Sequence, residues 1–132
     1  MAKSGPHITV DLYQGIDLLL LLEKTDQLAK TMQSFNVSFF RLNNFHRRVL
    51  YLEPRETESF LKVKKEADKL LGDYQIAANK GREYNPHLTV LINERIEEAI
   101  RLLTAEFRVV RDSICHLALY KRNMELVKLY NL

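Results

Sequence analysis

Hydrophobic and polar residues follow two different periods along the chain, and the change of period marks the predicted elements. Residues 7–13 and 87–92 alternate between polar and apolar positions and carry β-branched side chains, which predicts two strands. Residues 16–35 and 56–71 are rich in helix-forming side chains, and in the second stretch the apolar positions recur with helical spacing. A third helix is predicted at 94–106, where a preceding asparagine cap and early glutamates suit a helix start.

Shorter apolar runs complete the pattern. We expect strands at 36–42 and 47–52 around the short loop NNFH, one or two strands within 107–120, and a last strand at 124–131. The polar stretch 72–85 contains two glycines and is predicted to be a loop, and a loop of this length is more often functional than idle. The order β-α-β-β-α-loop-β-α-β-β, without a linker or a low-complexity tract, predicts a single α+β domain over all 132 residues.

The composition narrows the class of protein. With 46% hydrophobic and 28% charged residues, the chain has the composition of a globular domain and not of a disordered one. The net charge of +3 favours anionic ligands only weakly, and the interleaving of basic with acidic residues does not indicate a nucleic-acid-coating protein. The single cysteine, Cys115, cannot form an internal disulfide and fits a reducing compartment. We therefore expect a cytoplasmic protein in which Cys115 is a buried structural thiol.

The apolar run 16–22 does not predict a membrane span. It is interrupted by Asp17 and is far shorter than the ~20 residues that a spanning helix needs. No basic segment precedes it and no small-residue cleavage site follows it, although a signal peptide would require both. We expect a buried helix here and no association with a membrane.

The most specific feature of the sequence is a pentapeptide that occurs twice, as PHITV at residues 6–10 and as PHLTV at residues 86–90. Residues two apart on a strand share a face, so each copy should present its histidine and threonine together. The aliphatic residues between them should anchor the strand from the opposite face. The predicted polar face carries His7, Thr9 and then Asp11 in the first copy and His87 and Thr89 in the second, and the anchoring face carries Ile8, Val10, Leu12, Leu88, Val90 and Ile92.

If the two strands approach each other, two imidazoles and two hydroxyls converge in one cleft. Hydrolysis of a phosphodiester or a cyclic phosphate needs one group to deprotonate the attacking water and another to protonate the leaving oxygen. Histidine suits both steps near neutral pH, provided that one imidazole starts neutral and the other protonated. The hydroxyls can donate hydrogen bonds to the non-bridging phosphate oxygens. Because the sequence has no metal-ligand spacing such as HExxH or CxxC, we expect neither a metal nor another cofactor.

These residues resemble the two-histidine (2H) phosphoesterase superfamily of LigT-like and 2′-5′ RNA ligase-like proteins, which is marked by a pair of H-x-[T/S]-x strands. The resemblance extends to FNVSFFRLNNFHRRVLYLEP as a hairpin before a helix, to REYNPHLTV, and to ICHLALYKRN and ELVKLYNL as closing strands. It implies a bilobal α+β fold with pseudo-twofold symmetry, in which antiparallel sheets flank a central groove and helices lie outside. It also implies that His7 and His87 form the acid–base pair and that Thr9 and Thr89 bind the phosphate.

Members of this superfamily usually carry a strand and a helix before the first motif. Only MAKSGP precedes the motif here, so we expect those two elements to be missing from this chain. Family activities include hydrolysis of 2′,3′-cyclic phosphates, hydrolysis of 2′,5′-linked oligonucleotides and reversible 2′,5′ ligation of RNA. The resemblance therefore implies a metal-independent phosphodiesterase that acts on a nucleotide or an RNA end.

Five further residues are candidates for contact with such a substrate. Tyrosine rings can stack on any nucleobase, although tyrosines that end strands more often pack at an edge. Basic side chains in the loop before the second motif can hold phosphate through charge-assisted hydrogen bonds, or can simply be solvated. The candidate substrate-binding residues are Tyr13, Lys80, Arg82, Tyr84 and Tyr120. His46 is expected to be an exposed turn histidine. His116 is expected to be a buried or half-buried strand histidine, and it would support the site only if its strand lines the groove.

Two other functions stay open at this point. The same cleft could bind a nucleotide or RNA without catalysis, which would make the protein a binding module. A metal site built on His7 and His87 is the weaker alternative, because carboxylates and thiols do not stand at suggestive spacings around them. No feature of the sequence indicates an obligatory protein partner.

Overall fold

The computed structural model describes residues 6–46, 48–92 and 108–132. Helices occur together with antiparallel strands, which confirms the predicted α+β class. None of the helices in this part of the chain is long and apolar enough to cross a membrane. In chain order the elements are the helices α1 (Leu18–Thr31) and α2 (Glu58–Leu71) and the strands β1 (Phe35–Phe45), β2 (Val49–Pro54), β3 (Leu88–Ile92), β4 (Val110–Ile114), β5 (His116–Tyr120) and β6 (Leu126–Asn131).

The described residues form two compact units. The sheet unit contains both His-x-Thr segments and the four-stranded sheet with the order β3-β2-β1-β4. The helical unit contains α1, α2, the loop 72–85 and the antiparallel β5–β6 hairpin. The sheet unit comprises residues 6–9, 36–46, 48–57, 86–92 and 108–114, and the helical unit comprises residues 10–35, 58–85 and 115–132.

Strands β1 and β2 form a hairpin whose turn is tighter than the sequence predicted. Most of the NNFH stretch belongs to β1, and pairing continues to Phe45 opposite Val49. A 3.0 Å hydrogen bond from Arg48 N to Phe45 O closes the turn. His46 lies in this turn with a φ of 52°, a left-handed conformation that histidine adopts more often than most residues with a side chain. His46 is exposed, as predicted for a turn histidine.

A β-bulge in β1 assigns its residues to an apolar and a polar face of the sheet. Phe39 pairs with Pro54, whereas Arg41 pairs with Glu53, so Phe40 is the extra residue on β1. Alternation resumes on each side of this irregularity. The buried residues of the apolar face are Val37, Phe39, Leu50 and Pro54, and the opposite face carries Arg41, Asn43, Phe45, Tyr51 and Glu53.

Helices α1 and α2 pack against each other and supply the core of the helical unit. Asp17 caps α1, because its Oδ2 accepts a 3.2 Å hydrogen bond from Leu19 N, and the helix therefore begins two residues later than predicted. On α2 the buried residues recur at helical spacing, as the sequence predicted. The buried residues of this unit are Thr25, Leu28, Phe60, Val63, Ala67 and Leu71.

A buried carboxylate fixes the loop 72–85 within the helical unit. The side chain of Asp11 is 1% exposed and accepts hydrogen bonds from Lys64 Nζ at 2.7 Å, Gln75 Nε2 at 2.5 Å and Asn79 Nδ2 at 3.0 Å. Burial alone would raise the pKa of Asp11, but the hydrogen bonds from Lys64 and Asn79 outweigh it and hold the pKa below its ordinary value. Asp11 thus ties the loop to α2 through a charged partner on the helix.

The first predicted strand, 7–13, is wrong as a continuous element. Its residues make only two isolated bridges, Ile8 with Leu88 and Tyr13 with Gln75. The bridges join different segments, so one ladder cannot run through both of them. Since Asp11 is turned inward between them, Leu12 is left 54% exposed, and its predicted anchoring role is wrong.

The end of the chain follows the predicted order with one correction. The stretch 107–120 supplies two strands, β4 and β5, and the last predicted strand is β6. Cys115 lies between β4 and β5 and is exposed, so the prediction of a buried thiol is wrong. His116 is also exposed on β5, so the prediction of a buried or half-buried histidine is wrong. The predicted helix at 94–106 lies outside the described residues.

Truncation of the sheet core should weaken the fold. Leu50 is 0% exposed, so Leu50→Ala should lower the free energy of unfolding by about 2–5 kcal/mol through lost burial and an unfilled cavity. Leu19→Ala is the matched control, because Leu19 is 77% exposed and its truncation should change the free energy by less than ~0.5 kcal/mol. Urea unfolding followed by circular dichroism measures both. Similar losses in the two variants would contradict the core position of Leu50.

Removal of the buried carboxylate should cost more than removal of an exposed one that contacts the same lysine. Lys64 also contacts Asp68, whose side chain is 46% exposed. At neutral pH, Asp11→Ala should lower the free energy of unfolding by about 3 kcal/mol, because it leaves Lys64 largely buried without its buried counter-charge. Asp68→Ala should cost about 0–1 kcal/mol. Equal costs in urea unfolding would contradict the hub role of Asp11.

The same carboxylate should give the fold an acid-dependent component. Because the folded pKa of Asp11 lies below the ordinary value of 3.8, its contribution to stability is present above that value and is lost as the pH falls through the lowered pKa. Between about pH 5 and pH 2 the wild type should therefore lose stability more steeply than Asp11→Ala. Urea unfolding at stepped pH checks this, and a difference between the two proteins that stays constant with pH would contradict it.

Candidate functional site

The two His-x-Thr segments lie side by side in the sheet unit. Ile8 and Leu88 form an antiparallel bridge, and Leu88 pairs with Leu52 of β2 on its other side. The first segment therefore runs along the edge of β3 that faces away from β2. The two copies of the pentapeptide, eighty residues apart in the sequence, are therefore neighbours at the β3 edge of the sheet.

The antiparallel register gives the two motifs a reciprocal arrangement. One residue away from the Ile8–Leu88 bridge in each direction, His7 is opposite Thr89 and Thr9 is opposite His87. Opposed residues of an antiparallel pair project to the same face, so all four side chains share one face of the pair. The histidines occupy one diagonal of this square and the threonines the other. Diagonal neighbours in such pairs are about 7–8 Å apart, a separation that a phosphate group can bridge.

Burial follows this division into two faces. His7, Thr9 and Thr89 are exposed, whereas Ile8 is half-buried on the opposite side. The predicted alternation is therefore confirmed by burial in the first motif, whereas His87 and Leu88 of the second motif are both half-buried. The polar face is open to a ligand from solvent at these three positions.

A second β-bulge corrects the predicted role of Val90. Leu50 pairs with residue 91, whereas Tyr51 pairs with Thr89, which leaves Val90 as the extra residue on β3. Val90 is 49% exposed, so it does not anchor the strand as predicted. The bulge also keeps Tyr51 opposite Thr89. Tyr51 therefore belongs to the same face as the four motif side chains.

His87 lies against two aromatic rings on this face. The ring centroids of Phe45 and Tyr51 are each 5.2 Å from the imidazole centroid, with interplanar angles of 79° and 62°. The two aromatic rings are themselves stacked at 4.3 Å with an angle of 24°. His87 is half-buried, whereas His7 is exposed. The two histidines, equivalent in the sequence, therefore stand in different surroundings.

A carboxylate network holds Tyr51 from its hydroxyl end. Glu53 accepts hydrogen bonds from Asn43 Nδ2 at 2.6 Å and from Arg41 Nε at 3.0 Å and Nη2 at 2.6 Å. Burial raises the pKa of Tyr51, and the nearby Glu53 carboxylate, to which the phenol donates, raises it further. Burial alone would raise the pKa of Glu53, but these hydrogen bonds lower it overall. Tyr51 is thus a neutral hydrogen-bond donor to an ionised carboxylate.

The other predicted site residues belong to the helical unit. Tyr13 and Tyr84 are half-buried, and burial raises the pKa of both phenols. Lys80 and Arg82 are exposed in the loop 72–85, and Tyr120 is half-buried at the end of β5. Their role in substrate binding stays a prediction, since none of the five shares the sheet unit with the motif residues.

A metal site at the two histidines would need further ligands. Zinc sites in proteins use three or four protein ligands drawn mainly from histidine, cysteine and carboxylates. Within residues 6–46, 48–92 and 108–132, no group of three such side chains is arranged to hold a metal ion. The donor set that the sheet face does present, two imidazoles and two hydroxyls, matches the hydrogen-bonding needs of a phosphate.

Sequence reasoning missed Phe45 and Tyr51. The pattern correctly assigned Tyr51 to a strand, but the face on which each aromatic lies depends on the bulges at Phe40 and Val90. Neither bulge is marked by a glycine or a proline, the usual local signal of such an irregularity.

Comparison with known proteins points to one family. The sequence model of the 2′-5′ RNA ligase superfamily matches residues 1–125, which is nearly the whole chain. Among curated proteins, no sequence matches significantly. The family match therefore rests on the pattern of the chain as a whole and not on a close relative.

Solved structures with the same fold agree with this match. A phosphoesterase superposes with a TM-score of 0.62 at 12% identity, over 97% of this chain and 77% of that one. E. coli LigT complexed with 3′-AMP gives a TM-score of 0.59 at 14% identity, over 100% of this chain and 79% of that one. The apo form of E. coli LigT gives 0.61 at 12% identity, over 96% and 76%. At such identities the likeness shows the fold alone, and the fold is LigT-like.

Proposed function

The chain belongs to the 2′-5′ RNA ligase superfamily, and from this premise we propose that it is a metal-independent phosphodiesterase with His7 and His87 as its acid–base pair. Membership of the superfamily supports a phosphoesterase-type activity. The finer proposal is that the substrate is a 2′,3′-cyclic phosphate or a 2′,5′-phosphodiester of a nucleotide or an RNA end. LigT was solved with 3′-AMP, which favours a nucleotide as the ligand of the corresponding face in this protein.

The observation that carries the proposal is the reciprocal register of the two motifs. Because Ile8 is bridged to Leu88, each histidine is opposed by the threonine of the other motif. A phosphate lying over this square would meet an imidazole on each side along one diagonal and a hydroxyl on each side along the other. This is the arrangement that in-line displacement at phosphorus requires, with the attacking and leaving oxygens on opposite sides.

The two histidines would exchange one proton each with the reactants. The neutral imidazole accepts a proton from water as the water oxygen forms its bond to phosphorus. The protonated imidazole donates its proton to the ribose oxygen as the bond from phosphorus to that oxygen breaks. Each transfer supplies a rate factor of roughly 10²–10⁴. After one turnover the protonation states are reversed, and exchange with solvent restores them.

Thr9 and Thr89 would stabilise the negative charge on the phosphoryl oxygens in the transition state. Their hydroxyls can donate to the two non-bridging oxygens, whose negative charge becomes harder to solvate once the substrate covers the face. Loss of one such donor in comparable sites costs about 2.7–4 kcal/mol of transition-state stabilisation. The threonines therefore act on the rate of the chemical step more than on ground-state binding.

The proposal is tested by turnover in the presence of EDTA. The protein is incubated with a nucleoside 2′,3′-cyclic phosphate and, separately, with a 2′,5′-linked oligoadenylate, and the products are resolved by chromatography. We expect hydrolysis that survives chelation and that falls by at least about 10²-fold in His7→Ala and in His87→Ala. Thr9→Val should fall by about 10²–10³-fold, because it removes the hydroxyl at nearly constant volume.

His46→Asn is the control variant, because His46 lies in the same sheet unit and asparagine tolerates its left-handed turn conformation. It should keep wild-type turnover. Binding of a nucleotide without turnover by the wild type would refute the enzyme proposal and support a binding module. Turnover that EDTA abolishes would refute metal independence.

A further inference from the structure

The two motif histidines are held by segments of unequal order. His87 directly precedes β3, which is paired along its length with β2. His7 lies beside a single bridge, at Ile8, on a segment that forms no continuous strand. His87 also contacts two aromatic rings, whereas His7 is exposed. The sequence repeat is symmetric, but the backbone pairing of the two segments that carry it is not.

From this asymmetry we propose that Phe45 and Tyr51 are positioning residues, which fix the His87 imidazole in one orientation for its proton transfer. The inference rests on the proposed function, because it assigns roles within that reaction. It adds two residues to the reaction that neither motif contains.

The register between β2 and β3 explains why the Tyr51 ring contacts His87. Without the bulge at Val90, Tyr51 would oppose residue 90 and would project to the opposite face of the sheet. With the bulge, Tyr51 opposes Thr89. His87 lies two residues before Thr89 and projects to the same face, so it shares that face with Tyr51. The bulge therefore brings an aromatic ring next to the imidazole, which is a known use of bulges beside active sites.

The aromatic rings are themselves restrained, so they can restrain a neighbour. Tyr51 is 8% exposed, stacks on Phe45 and donates its hydroxyl to Glu53. Glu53 is fixed in turn by Arg41 and Asn43. Because the Tyr51 ring is restrained at its face and at its hydroxyl end, it can restrain the His87 imidazole that packs against it. The edge-to-face contacts of both aromatics with His87 limit rotation of the imidazole about its two side-chain torsions.

Orientation matters because proton transfer depends steeply on geometry. A catalytic imidazole must present one nitrogen within hydrogen-bond reach of the reacting oxygen, and a misplacement of about 1 Å can cost 10²-fold in rate. A rigid His87 supplies that precision on one side of the phosphate.

The test compares ring removal with hydroxyl removal. Tyr51→Leu and Phe45→Leu should lower kcat about 10–100-fold with KM changed by less than about 3-fold, because substrate still binds but His87 is misaligned. Tyr51→Phe keeps the ring beside His87 but removes its hydroxyl contact with Glu53, so it should lower kcat by less than about 10-fold, a smaller loss than that of Tyr51→Leu. Phe60→Leu is the matched control, since the Phe60 ring packs against Phe35 in the helical unit and its truncation should leave both constants unchanged.

An NMR signature separates positioning from general loosening of the fold. In the wild type the two rings should shift the His87 imidazole protons away from random-coil positions by ring currents. In Tyr51→Leu these protons should move towards random-coil values while the His7 protons stay in place. Circular dichroism and thermal unfolding establish that each variant is folded, and Phe45→Leu, at a half-buried position, carries the test if Tyr51→Leu does not fold.

The outcomes distinguish this inference from the proposed function. If the wild type turns over substrate and both leucine variants keep wild-type kcat, the positioning role is refuted and the phosphodiesterase proposal stands. Equal movement of the His7 and His87 protons in Tyr51→Leu would also refute the positioning role. If the wild type shows no turnover with either substrate class, the proposed function fails and the inference fails with it.

Discussion

The antiparallel pairing of Ile8 with Leu88 is the contact on which the candidate site depends. It joins two segments that are eighty residues apart and fixes which residues of each motif face the same way. Strand pairing has a period of two, so a slip of one residue would send one motif's histidine and threonine to the other face. The chemistry proposed for this protein therefore depends on backbone register first and on side-chain identity second.

The two bulges place aromatic side chains on the same face of the sheet as the motif histidines. Phe40 on β1 and Val90 on β3 are each left out of the ladder, and each shift changes the face to which the following residues belong. The result is a polar face on which His87 is backed by Phe45 and Tyr51. An internally repeated sequence thus acquires an asymmetric site, which suits a reaction that needs one acid and one base.

The sequence predicted the features that depend on local pattern. The α+β class, α2, the β1–β2 hairpin and the polar facing of His7 and Thr9 follow from periodicity. The prediction of a continuous strand at 7–13 was wrong because the Asp11 side chain is turned inward to accept hydrogen bonds from side chains that lie 53 to 68 positions later in the chain. The roles of Val90 and Tyr51 could not be predicted from the sequence, because cross-strand packing decides where a bulge forms. No glycine or proline marks either bulge in this chain. Register is a tertiary property, and alternation alone does not encode it.

An NMR titration of the four histidine side chains with a nucleoside 2′-monophosphate shows whether both motifs share one phosphate site. This monophosphate is one of the two products that hydrolysis of a cyclic phosphate can give. If both motifs share that site, the imidazole resonances of His7 and His87 shift together with one apparent Kd, while those of His46 and His116 stay in place. A response from only one of the two motif histidines, or saturation at clearly different ligand concentrations, would contradict a single phosphate site shared by both motifs.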